Sequence, residues 1–158
     1  MSRAPERGSA RFAILKLDET ALVLPQSEVR AIEAADDVVP QDPPPGGVGW
    51  IAVAESRWPV YSLTRELVPS GQPARSRRMC ALLGTGGQLF GLLCDEVEVT
   101  ALDPSAITPL PDCMQLAGSP VTAIARRSGG IACVTTPLRL SRLVGLPATA
   151  PAAVRRAA

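Results

Sequence analysis

Met79-Cys80-Ala81-Leu82-Leu83, then Gly84-Thr85-Gly86-Gly87, then Gln88-Leu89-Phe90-Gly91-Leu92-Leu93-Cys94 is the stretch that decides the fold. Two apolar runs of strand length joined by a short glycine-rich link form a β-hairpin, because glycine lets the chain reverse without steric cost. The arrangement occurs three more times. Phe12–Leu17 and Ala21–Leu24 flank Asp18-Glu19, Trp50–Val53 and Trp58–Leu63 flank Glu55-Ser56, and Val121–Ala125 and Ile131–Val134 flank Ser128-Gly129-Gly130. Repeated hairpins in a chain of 158 residues predict an all-β barrel or sandwich. Two hairpins stand on either side of the loop Pro69–Arg78, which predicts two small barrels with their main seam near residues 69–78. Neither half alone has apolar side chains enough for a comfortable core, so the join between them must itself be apolar.

Composition narrows the function. Apolar residues at 46% are ample for such a core, whereas aromatics at 3% leave little to stack nucleic-acid bases. A net charge of +1 supplies no field to draw the chain to DNA or to an anionic membrane. Histidine is absent, which removes the commonest general base, the nucleophile pairs built on it and every imidazole metal site. Cys80, Cys94, Cys113 and Cys133 show no C-x-x-C spacing and read as buried reduced thiols within strands. With a polar start and no apolar run of spanning length, they predict a cytoplasmic protein without membrane insertion. Asp18, Glu55 and Asp95 each sit where a turn favours a carboxylate, so none reads as an acid–base pair. The expectation is a binding protein with no cofactor and no metal, not an enzyme.

Along the chain, Met1–Ala10 reads as a disordered tail, residues 11–145 as the folded domain, and 146–158 as an Ala/Pro-rich tail. Val38–Gly49 and Pro104–Pro111 are rich in proline and read as irregular. Thr136 and Pro137 predict a helix start, Gly145 its end, and Leu140, Leu143 and Val144 its buried face. A weaker helix is expected over Leu63–Leu67. Arg75, Arg77 and Arg78 read as a solvated basic loop, and Trp50 and Trp58 as core fillers that could also serve an interface.

Three local patterns then carry a resemblance. Ala21-Leu22-Val23-Leu24-Pro25 precedes Val29-Arg30-Ala31-Ile32. Gly49-Trp50-Ile51-Ala52-Val53-Ala54-Glu55 precedes Trp58-Pro59-Val60-Tyr61-Ser62-Leu63. Gly91-Leu92-Leu93-Cys94-Asp95-Glu96-Val97 precedes Ile107-Thr108-Pro109-Leu110-Pro111. In order and spacing these resemble the CheW-like domain of bacterial chemosensory adaptors and of CheA kinases, over roughly Arg11–Gly145. The resemblance implies two SH3-like five-stranded barrels around a continuous core, with one to three short helices. It also implies a non-catalytic adaptor whose partners are the regulatory domain of a CheA-type histidine kinase and the cytoplasmic tip of a chemoreceptor.

The chain departs from the family pattern at Ala31, where the family has glutamate, and at Ala54, Glu55 and Ser62, where it has arginine, glycine and aspartate. Loss of an acid together with a base reads as a lost ion pair, since removing both partners can be nearly neutral while removing one strands a charge. It places Ala31 near Ala54 and implies a specialised or decayed paralogue, for example in pilus motility. On this reading Val29, Ile32, Val53 and Ala54 form one partner-contact surface, and Leu92, Val97 and Val99 lie near the seam. Asp95 either caps a turn or accepts from a partner backbone. The competing reading is a small nucleic-acid-binding barrel using Arg75–Arg78 and Arg126-Arg127, which the near-zero net charge disfavours.

Overall fold

The computed structural model describes residues 10–86 and 88–146. The four hairpins form, with the register set by their turns. The first joins β1 (Ala10–Leu17) to β2 (Thr20–Pro25) with Leu17 opposite Thr20, so Asp18 and Glu19 make the turn, and Asp18 takes a φ of 56°. After β3 (Val29–Ala34), the second joins β4 (Gly49–Val53) to β5 (Ser56–Tyr61). Val53 pairs with Ser56, so its turn is Ala54-Glu55, one residue earlier than Glu55-Ser56. Ala54 there adopts a φ of 55°, a conformation uncommon for a residue with a Cβ, which hid the turn from the sequence.

The third hairpin joins β6 (Met79–Thr85) to β7 (Gln88–Cys94), and pairing runs out to Thr85 opposite Gln88, so the first arm reaches two residues beyond Leu83 while the second keeps its expected bounds. β8 (Glu96–Leu102) and the short β9 (Ile107–Pro109) follow, the latter inside the stretch expected to be irregular. The fourth hairpin joins β10 (Ala123–Arg127) to β11 (Gly130–Val134), and helix α1 (Pro137–Leu143) closes the described chain. Thr136 caps that helix by accepting a hydrogen bond from the Arg139 amide, and Pro137 holds its first turn.

The strands assemble into two curled sheets, one ordered β8-β1-β2-β11-β10-β9 and the other β3-β6-β7-β5-β4. This corrects the expected division by chain halves. The first hairpin joins the last through a parallel β2–β11 pairing, and the second joins the third through a parallel β5–β7 pairing. Residues 69–78 therefore connect strands of one sheet instead of dividing two sequential barrels. The helix expected over Leu63–Leu67 is absent. A turn stands there, with Leu67 at a φ of 61° and Leu63 bridged to Pro69, a left-handed residue that a right-handed helix cannot accommodate.

The join is apolar as required. Leu15, Leu17, Leu22 and Leu24 of one sheet pack with Tyr61, Leu83, Phe90 and Leu92 of the other, and Leu140, Val144 and Leu146 of the helical end cover them. Smaller aliphatic clusters fill each barrel, around Ile14 and Val23 in one and around Ile51, Val60 and Leu82 in the other. Gly91 is a point of close approach within the second sheet, where β7 runs between β5 and β6. A Cβ at that position would lie 2.7 Å from Cys80 Sγ and 3.0 Å from Val60 Cγ2, so only glycine lets β7 sit between them.

The expected tails lie outside the described residues except at their inner ends. Ala10 already belongs to β1, and Leu146 is buried. Among the described residues, no helix is long and apolar enough to cross a membrane. The thiols divide more finely than expected. Cys80 and Cys94 are buried, and burial pushes both up to about 12, whereas Cys133 is half-buried and Cys113 stands exposed in a short turn.

Candidate partner-binding site

The strongest polar feature sits where the two sheets meet, and it rests on a residue that reads from sequence as solvated. Arg77 is buried, with its side chain only 2% exposed, and it lies between two carboxylates. Its Nη1 donates to Asp95 Oδ1 at 2.6 Å, and its Nη2 donates to Asp18 Oδ2 at 3.0 Å and to the Leu63 carbonyl at 3.2 Å. Asp95 in turn accepts from the Asp18 amide through Oδ2 at 2.7 Å, while its own amide donates to the Lys16 carbonyl. One guanidinium thus ties together the β1–β2 turn, the β7–β8 junction and the segment after β5. Of the two roles open to Asp95 from sequence, the geometry realises the turn-fixing one.

Burial disfavours the Arg77 charge, but the hydrogen bonds it donates to Asp18 and Asp95 outweigh it and raise the Arg77 pKa. The same hydrogen bond from Arg77 leads the causes that lower the Asp18 pKa beneath its ordinary 3.8. A carboxyl depressed in the folded state stabilises the fold above its ordinary pKa and loses that contribution as pH falls through the folded value. Acid unfolding followed by circular dichroism should therefore show a loss of stability beginning near about pH 4 and growing below it. Asp18→Asn should flatten that loss, and an unchanged acid profile in the variant would contradict the assignment.

Beside this triad a cleft of about 470 Å³ opens across the seam. Asp18 and Glu19 of the first turn line one side. Leu63, Thr64, Arg65 and Glu66 line the other, with Arg77 also in the wall. Arg65 pairs with Glu66 at 2.9 Å, and its carbonyl accepts from Thr20 Oγ1, a second tie between the two sheets.

The contact residues expected from sequence fall into three groups. Ile32 on β3 and Val99 on β8 are 43% and 46% exposed, and both strands end their sheets. Ala54 is exposed in the β4–β5 turn. Val29 and Val97 are half-buried against the shared core, and Val53 against the Ile51 cluster, where Ala31 also packs. Leu92 is the correction: it is fully buried in the shared core, on the inward side of a central strand, and can touch no partner. Trp50 and Trp58 are both half-buried. Trp50 donates from Nε1 to the Asp42 carbonyl and carries the Arg57 guanidinium 4.3 Å above its ring, while Trp58 packs on the Ile51 cluster. Arg75 and Arg78 are exposed as expected, so only Arg77 of that loop departs from its reading.

A CheW-like domain family model matches residues 11–145. The fold is also similar to the crystal structure of the scaffolding protein TtCheW from Thermoanaerobacter tengcongensis, with a TM-score of 0.67 at 19% identity, covering 87% of this chain and 90% of that one. Comparison with curated proteins yields no match. The chain belongs to the CheW-like domain family, with its two curled sheets as SH3-like barrels.

Proposed function

We propose that the chain is an adaptor of a bacterial chemosensory system, coupling a chemoreceptor to a CheA-type histidine kinase through protein–protein contacts alone. The observation that carries this reading is the cleft across the seam, whose walls come from both barrels. A site of that kind can grip an elongated helical tip, because polar groups on both walls reach toward a ligand lying between them. Exposed Ile32 and Val99, on strands with one unpaired edge, offer apolar anchors to a kinase regulatory domain of the same fold. Contacts of this size are individually weak and gain strength when several are made within one array.

Isothermal titration against a CheA-type regulatory domain and a receptor-tip fragment from the same organism tests the proposal. Binding to both is expected, and Ile32→Asp with Val99→Asp should weaken the kinase domain by about tenfold or more while sparing the tip. Absence of binding to either would overturn it.

A further inference from the structure

We infer that the outer side of α1 and the loop before β10 form a third docking surface, which takes an acidic, amphipathic segment of a partner protein. It goes beyond the seam cleft and the edge strands, and none of its residues belongs to either. A groove of about 540 Å³ runs between loop residues 115–122 and the helix. Leu116 and Val121 give it an apolar wall, Arg139 and Arg142 give it positive charge, and no carboxylate lines it.

Three features separate this groove from ordinary surface. Leu116 is 73% exposed, the highest exposure of any large aliphatic side chain among the described residues, and Met114 and Leu138 nearby are exposed as well. Folding gains nothing from that placement, because the apolar area stays in water. The loop is nevertheless held in shape. Gln115 Nε2 donates to the Leu110 carbonyl at 2.7 Å, Ser119 N to the Leu116 carbonyl at 3.0 Å, and Arg139 Nη1 to the Ser119 carbonyl at 2.9 Å. A site ordered before binding loses less entropy when it is filled. Finally, neither Arg139 nor Arg142 has a carboxylate partner among the described residues, although the same chain neutralises Arg77 twice over.

Charge complementarity chooses the occupant. Two unneutralised guanidinium groups beside an aliphatic wall match carboxylates alternating with apolar side chains on one segment. Residues 147–158 of this chain are a poor match, since they carry Arg155 and Arg156 and no acid. Nucleic acid is a poor match too, since no aromatic side chain lines the groove on which a base could stack.

Cys113, two residues before the loop, provides the reporter, because the other thiols are buried or half-buried. The full chain labelled there with an environment-sensitive dye is titrated, at physiological salt, with a synthetic amphipathic helix bearing Leu on one face and Glu on the other. A Leu/Lys version serves as control. The Glu helix should bind about tenfold tighter than the Lys helix, and Arg142→Glu or Leu116→Ser should each weaken it by about tenfold, without shifting the melting temperature. No binding of the Glu helix, equal affinity for the two helices, or indifference to both substitutions would overturn the inference. So would displacement of the helix by a single-stranded oligonucleotide, tighter binding after removal of residues 147–158, or a dimer of the chain that the helix dissolves.

Discussion

Arg77→Ala should lower the free energy of unfolding by about 3–5 kcal/mol, the cost of breaking a buried ion pair from one side. The size follows from where Arg77 lies. Its guanidinium is almost wholly removed from water and serves Asp18, Asp95 and the Leu63 carbonyl at once. Removing it leaves Asp95, four-fifths buried, without its counter-charge, and frees the β1–β2 turn from the segment after β5. Neutralising both sides together should cost less, so Arg77→Met combined with Asp95→Asn is expected to recover part of the loss. Urea unfolding of the three proteins measures this. A loss below about 1 kcal/mol for Arg77→Ala, the size of an exposed pair, would show that the seam does not depend on the triad.

Leu92→Ala is the second large effect, with about 2–5 kcal/mol lost from a cavity in the core that the two barrels share. Leu92 stands opposite Ala81 on β6 and beside Tyr61 on β5, so no neighbour can collapse into the space without moving a central strand. Partner affinity, measured at a temperature where the variant remains folded, should stay unchanged. A variant of normal stability but weakened binding would return Leu92 to the contact surface and contradict its burial.

The sequence reading and the structure part company along a physical line. Hairpins were legible because their causes are local. Asp18-Glu19 and Ser128-Gly129 reverse the chain by their own chemistry, and the alternation beside them follows from the pleat. The helix at Pro137 was legible for the same reason, since cap, first-turn proline and terminating glycine lie within ten residues of one another. Which hairpin joins which was not, because the parallel pairings of β2 with β11 and β5 with β7 connect segments that carry no mark of each other.

Arg77 shows the same limit at the level of a site. Beside Arg75 and Arg78 it looks like one more solvated arginine, and its burial is created by carboxylates that arrive from 59 and 18 residues away. Nothing in its own neighbourhood announces them. The contact surface was half legible. Period-two alternation on β3 turns Ile32 outward, but Leu92, on a strand with sheet neighbours on both sides and a core beneath it, needed the topology to place it.

Where a receptor tip lands decides whether the seam cleft is its binding site. Backbone amide shifts of the isotopically labelled chain, followed while a receptor-tip fragment is added, locate it residue by residue. The largest changes should fall on Asp18 and Glu19 and on Leu63–Glu66, on both walls of the cleft together. Changes confined to one barrel, or scattered away from the seam, would contradict that placement.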